Sequence, residues 1–366
     1  MKKLRIAVVG LAHVHAPGMM EAFAQDARAE LTACADLPAA MQPLSAGRGT
    51  RLSNVALARD HYGMAVYEDA ERLLCDVKPD IILSCAENTR HLAVAELAAR
   101  HGCHLVFEKP MATRFADARR MAALMEQAGR KLVINWPTAW GGVFQKARDV
   151  IAGGAIGTVL RLRWTNGSSF GPFSYGEGLT PEEMAAEWWY QPAQGGGAYL
   201  DYCGYGCMVS TMLIGSRAVG AFGLRANLNS PFAQADDNGI VIARFPGAVA
   251  TIEGTWTAMN KVSDAPMVVH GSEGSMGVYN DRIEVFRTRF GYEPEEVYEV
   301  TPLPEGRRNF AEDLLHCLET GEPLNQMVDV KLNLDMMALL DAGIRSAASG
   351  SFELVGDEHF SVEEIG

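Results

Sequence analysis

The chain has no excess of positive charge: its 366 residues include 32 Lys and Arg against 45 Asp and Glu, a net charge of -13. That balance excludes a general binder of nucleic acid or anionic membrane, which needs a basic face to meet phosphates. A locally positive site for a small anion remains compatible with it. Cysteine is sparse and unpatterned. The seven are scattered, odd in number and without metal spacing, so reduced thiols in the cytoplasm are the simplest account. Cys203 and Cys207 lie one helical turn apart, but no second pair accompanies them and no metal is expected. No apolar run is long enough to span a bilayer. Lys2, Lys3 and Arg5 ahead of apolar residues 6–11 imitate a secretory leader, yet a charged stretch follows without a small-residue cleavage site. Internal repeats and low-complexity linkers are missing as well.

What is present describes a folded, two-domain protein. Apolar residues make up 48% and charged residues 21%, the composition of a soluble globular chain, and the length exceeds a usual single core. Residues 4–9 form a strand pattern closing on Gly10, followed by a tight turn and a helical segment from about residue 19. This is where a dinucleotide-binding fold begins, but two of its three glycines are missing. In the fingerprint register Gly10 survives, Ala12 takes the second position and His15 the third. An alanine still allows fairly close backbone approach to a pyrophosphate, whereas a histidine in place of the packing glycine demands local rearrangement. His13 and His15 are positioned to donate to phosphate or substrate, or to serve structure alone. A second strand at 31–35 ends on Asp36, which suits the ribose hydroxyls of NAD and repels the extra phosphate of NADP, or simply begins a turn with Pro38.

The clearest signals follow. Residues 80–85 and 105–107 read as buried strands, and 131–135 as another, with helices at about 91–100 and 115–128 between them. Repeated strand, helix, strand order predicts a parallel sheet with crossover helices. The run 105–107 ends abruptly in Glu108-Lys109-Pro110, polar groups at a carboxyl edge, where open α/β sheets place ligands. Composition changes after Asn135, which sets the expected division at 1–135 and 136–366. The stretch 165–192 is long for a silent connection; its Trp188-Trp189-Tyr190 offers faces for a sugar ring, or else covers core or a subunit contact. Gly195-Gly196-Gly197 then leads a helix over 198–213 that places Asp201 and Tyr205, four residues apart, on one face. Strands without helix-length crossovers occupy 219–300, so a largely antiparallel open sheet is expected. Helices at 309–319 and 330–349 close the chain, with a return to the first domain open to them.

In this order the nucleotide fold, Glu108-Lys109-Pro110, the glycine-led helix with Asp201 and Tyr205, and Gly271-Ser272-Glu273-Gly274-Ser275 resemble the glucose-fructose oxidoreductase/inositol dehydrogenase (Gfo/Idh/MocA-like) family over nearly the whole chain. The resemblance implies an amino-terminal α/β Rossmann domain, an α+β carboxyl-terminal domain for substrate and oligomer contacts, and NAD, preferred over NADP, as cofactor. It places Lys109 near nicotinamide and the substrate hydroxyl, Glu108 in the cofactor-facing turn, Pro110 as a cis proline and Asp201 on substrate. Tyr205 stands where many relatives have histidine, similar to the sugar and dihydrodiol dehydrogenase branch, in which a tyrosine is the acid/base. A phenol with a pKa of about 10 becomes a base near neutrality only beside positive charge, which Lys109 is suited to supply. Asn88, His91 and Trp136 are lesser candidates for the cofactor edge, and His91 serves equally well as a helix cap. The implied activity is hydride transfer between nicotinamide and a sugar, cyclitol or related polyol, in a homodimer or homotetramer. NAD-assisted glycoside cleavage without net redox change, and noncatalytic ligand binding on the same fold, are the alternatives.

Overall fold

The computed structural model describes residues 3–167, 171–173, 178–258 and 267–356. Its first layer is a parallel sheet built from β1 (Leu4–Leu11), β2 (Ala29–Ala35), β3 (Ala65–Tyr67), β4 (Ile81–Cys85), β5 (His104–Glu108) and β6 (Leu132–Asn135). The spatial order is β3-β2-β1-β4-β5-β6, so the side on which successive strands are added switches between β1 and β4, which themselves run parallel. That switch opens a crevice at the strands' carboxyl ends. Ile81, Ile82, Leu83, Leu105, Val106 and Phe107 are wholly buried, as a sheet covered on both faces requires. The cover comes from α1 (Ala16–Ala24), α2 (Arg51–Asp60), α3 (Ala70–Val77), α4 (His91–His101) and α5 (Phe115–Gln127). The helix α2 begins inside residues 46–54, whose Gly, Ser and Arg content by itself suggests a loop or a helix break.

After α6 (Val143–Ala152) comes the long strand β7 (Val159–Gly167), then the short helix α7 (Pro181–Ala185) and α8 (Gly204–Ile214). The second sheet adds β8 (Gly220–Ala226), β9 (Asn238–Arg244), β10 (Val249–Thr255), β11 (Met267–Gly271), β12 (Ser275–Val278), β13 (Arg282–Phe286) and β14 (Glu296–Glu299). It ends in α9 (Phe310–Thr320), α10 (Val330–Ser349) and β15 (Glu353–Leu354), the last with no counterpart in the sequence pattern. Nine strands run in the order β14-β13-β12-β11-β7-β10-β9-β8-β15. All pairs are antiparallel except β7 with β10. Helix α8 and the hairpin β8–β9 intervene between those two, and this long excursion brings β10 back in the direction of β7.

The terminal helices hold the layers together. Phe310 of α9 meets Phe23 of α1 edge to face at 5.5 Å, and Trp136 donates its indole N–H to Asn333 of α10 at 2.8 Å. Among the described residues no helix is long and apolar enough to cross a membrane.

Candidate active site

At the end of β5 the Lys109–Pro110 peptide bond is cis, and Lys109 is 2% exposed. Its ammonium contacts the Asp201 carboxylate directly and lies 4.5 Å from the centroid of the Tyr205 ring. Both partners come from one helical passage, but its start is not the regular α-helix expected. Residues Tyr199–Cys203 form a π-helical turn before α8, a local widening frequent at functional sites. Trp256, just beyond β10, donates its indole N–H to the other Asp201 oxygen at 3.2 Å, so the carboxylate is held from two sides. Nothing in the local sequence singles out Trp256, because its partner lies far away along the chain.

Lys109, Asp201 and Tyr205 line a cavity of about 720 Å³, together with His15, Asn166, Trp189 and Tyr202, a volume suited to a small-molecule site. Burial opposes the charge on Lys109, but Asp201, Tyr205 and Glu108 outweigh it and raise its pKa. For Tyr205 burial dominates and raises the pKa above the ordinary phenol value, with Lys109 pulling against it. The lysine's charge is spent on Asp201. Tyr205 therefore stays a proton donor at neutral pH in this state, contrary to the expectation that Lys109 makes it a ready base.

Glu108 is wholly buried. It accepts from Asn135 at 2.7 Å and from the Lys109 amide at 3.2 Å, while His15 Nδ1 and His13 Nε2 stand 3.2 and 3.8 Å from it. These three side chains offer ligand atoms within 4.8 Å of one another. Yet His13 Nδ1 accepts the His15 amide N–H at 3.0 Å, which leaves the proton of a neutral His13 on Nε2. A protonated nitrogen is no ligand. Burial lowers the His13 pKa well below its usual value, consistent with that neutral form.

The crevice between β1 and β4 is filled by protein. Gly10, at φ +81°, lies so close to Ala86 that an added Cβ would sit 2.6 Å from its neighbour's. Asp36 accepts the Leu11 amide at 2.9 Å and is paired with Arg51 at 2.5 Å; Arg51 also pairs with Glu87. The indole of Trp188 donates to Ala12 O at 2.9 Å, and Asn88 donates to Gly195 O at 2.8 Å. About 20 Å³ remains between Arg51, Glu87, Glu187 and Trp188, room for one water and not for a nucleoside. Arg51, Glu87 and Glu187 carry no sequence signal for this role, since each meets the others only across a long separation in the chain.

The remaining expected residues separate. Trp189 reaches the cavity; Trp188 lies on the crevice, and Tyr190 packs edge to face on Trp256 at 5.6 Å, so the aromatic triplet is not one sugar platform. Within the 3₁₀ turn Trp188–Tyr190 the rings of Trp188 and Trp189 stay together, and Tyr190 turns away from them toward Trp256. In the stretch expected to cover a ligand, residues 168–170 and 174–177 lie outside the described residues. His91 is buried behind the strand ends, stacked on Phe107 at 4.4 Å, with Nδ1 3.1 Å from Met111 O; burial lowers its pKa to about 4. Trp136 stands edge to face on Tyr205 at 5.2 Å, a wall beside Tyr205 rather than of the crevice.

Sequence comparison matches residues 4–136 to the oxidoreductase family's NAD-binding Rossmann fold and residues 144–277 to the GFO/IDH/MocA C-terminal domain. The chain belongs to the GFO/IDH/MocA oxidoreductase family. Within the family it is 29% identical over 216 residues, 59% of this chain and 56% of the other, to the dTDP-3,4-didehydro-2,6-dideoxy-alpha-D-glucose 3-reductase of Streptomyces violaceoruber. It is 26% identical over 300 residues, 78% of this chain and 75% of the other, to the D-apiose dehydrogenase of Paraburkholderia graminis. The matched part thus spans little more than half the length of the first relative. The fold is shared with the WlbA dehydrogenase of Bordetella pertussis, solved with NADH and UDP-GlcNAcA: TM-score 0.74 at 21% identity, covering 97% of this chain and 99% of that one.

The first domain is therefore the family's NAD-binding Rossmann fold, and its turn residues suit a nicotinamide dinucleotide in kind: a positive-φ glycine after β1, an acid after β2, Glu108-Lys109 after β5. In the present conformation residues 186–196 cover the crevice between them.

Proposed function

We propose that the protein is a nicotinamide-dependent dehydrogenase acting on a sugar, cyclitol or related polyol. The observation that carries this reading is the convergence of Lys109, Asp201 and Tyr205 on one wall of the cavity. Gly10, Asp36 and Glu108 would hold the dinucleotide, which supplies the hydride acceptor or donor when bound. The rest falls to the chain. Lys109, kept positive by Asp201, polarises the reacting oxygen. Tyr205 gives a proton to that oxygen in reduction and takes it back in oxidation. Asp201 orients a neighbouring hydroxyl, and Trp189 and Tyr202 offer apolar faces to a ring.

Asp36 favours NAD over NADP, although its pairing with Arg51 weakens that preference by offsetting the charge that repels a 2′-phosphate. Residues 1–135 serve the cofactor and 136–366 the substrate and subunit contacts, with α9 and α10 packed back against the first domain. All seven cysteines are unpaired, which supports a reducing compartment, the cytoplasm.

The test is side-by-side titration of cofactor-stripped protein with NADH and NADPH by nicotinamide fluorescence, followed by a polyol and aldose panel. Saturable NADH binding and NADH formation with a polyol are expected. Substrate cleavage without NADH formation would replace this reading with glycoside cleavage. Binding of a sugar with neither dinucleotide bound would replace it with a noncatalytic role.

A further inference from the structure

We infer that residues 186–196 form a strap over the dinucleotide crevice, which must lift from Ala12 and Asn88 before a nicotinamide dinucleotide can enter. This rests on the cofactor reading above and adds a gate to it. The strap is anchored on the first domain by three neutral hydrogen bonds, Trp188 to Ala12 O at 2.9 Å, Asn88 to Gly195 O at 2.8 Å and Thr89 Oγ1 to Gln194 O at 3.5 Å. Its far side is tied to the second domain, where the Gln234 and Ala235 amides both bond to Tyr190 O at 3.0 Å. The rings of Trp188 and Trp189 stack at 4.0 Å, and Trp189 stands edge to face on His13 at 4.6 Å. The strap thus covers the turn after β1 and the end of β4, the places this fold reserves for pyrophosphate and nucleoside.

Ala12, Trp188, Trp189 and Tyr190 give this contact an apolar core, but its polar atoms are not settled. His13 Nε2, Glu87 Oε2, Asn88 Oδ1 and Trp189 Nε1 are all buried without a hydrogen-bond partner among the described residues. Native interiors leave few such atoms unpaired, because each forfeits its hydration. Four together, on the floor and underside of one cover, mark an interface that is readily exchanged for solvent or for a ligand rich in hydroxyl and phosphate oxygens. Glu187 adds a charge problem. It is buried beside Glu87, with Arg51 already shared between Glu87 and Asp36, while Arg90 lies on the outer side of Glu87. Burial, partly offset by Arg51, pushes the Glu187 carboxyl up to about 7.

The sign follows from linkage. A carboxyl raised in the closed state and ordinary in the open one is protonated when closed, so acid favours closure. Closure weakens as pH rises from the ordinary carboxylate range to about 7, by up to about tenfold per pH unit, and is level above that.

Stopped-flow NADH fluorescence decides the matter. For the wild type the observed binding rate should saturate with NADH concentration at the opening rate, and affinity should fall about tenfold or more between pH 8 and pH 5.5. Trp188→Leu, shown folded by circular dichroism, should bind with a rate linear in NADH concentration and at least about tenfold tighter. Glu187→Gln, neutral at every pH, should bind weakly and with less pH dependence than the wild type, the remainder belonging to Glu87, whose carboxyl pKa burial also raises. Hydrogen exchange on the wild type needs no substitution: NADH should raise exchange in residues 186–196. Linear rates and equal affinity in wild type and Trp188→Leu, or unchanged exchange, would overturn the strap and leave the cofactor reading intact. No binding by either folded protein would overturn the cofactor reading and the gate with it.

Discussion

Lys109 shows how one side chain's surroundings decide its chemistry. Alone, a buried lysine would lose its proton; with Asp201 against it, the charge is kept and pointed into the cavity. Lys109→Ala should leave Asp201 buried without its cation and lower kcat by about a thousandfold, measured by steady-state turnover on whichever polyol the panel identifies. Tyr205→Phe removes only the phenol oxygen and should cost about a hundredfold or more. Since burial raises the Tyr205 pKa, reduction, which needs the protonated phenol, should stay level through neutral pH and fall only beyond the ordinary phenol range. A fall near neutrality that survives in Tyr205→Phe would assign the proton to another group. Glu108-Lys109-Pro110, Asp201 and Tyr205 were legible in the sequence because strand end and helix spacing expose them locally. Trp256 and the Arg51–Glu87 pair were not, since each acquires meaning only from a residue distant in the chain.

Among the elements, β1, β2, β4, β5 and β6 with the helices α4 and α5 of the first domain followed from hydrophobic period and turn residues, whereas α2 and β3 lie where the pattern is ambiguous. The second domain was less transparent. The parallel pairing of β7 with β10 depends on what the chain does between them, and the π turn before α8 has no periodic signature. Close approach decides another feature: a Cβ on Gly223 of β8 would lie 1.9 Å from Gly343 O on α10. Gly223→Ala must push the helix off the sheet and should lower stability by about 3 kcal/mol, read as a drop in the thermal unfolding midpoint. An unchanged midpoint would mean that α10 is not seated on β8 in solution.

At the scale of the molecule, the outer face of the second sheet carries Phe222 opposite Ile242 and Leu224 opposite Ile240, all four exposed. A contiguous apolar face rarely stays bare in water, which supports the proposed homodimer or homotetramer through that surface. Ile242→Lys should shift the mass by light scattering toward the monomer; a wild type already monomeric at micromolar concentration would exclude that assembly. The order of strands and helices, the acidic balance, the family resemblance and the three catalytic candidates were determined by the sequence itself, because period, composition and short motifs are properties of neighbours along the chain. Whether Tyr205 stays protonated, which residues fill the crevice and whether the aromatic triplet faces the cavity were decided only by the tertiary structure. Burial, charge pairing and access depend on segments brought together from both domains, and those meetings are not written in any local stretch.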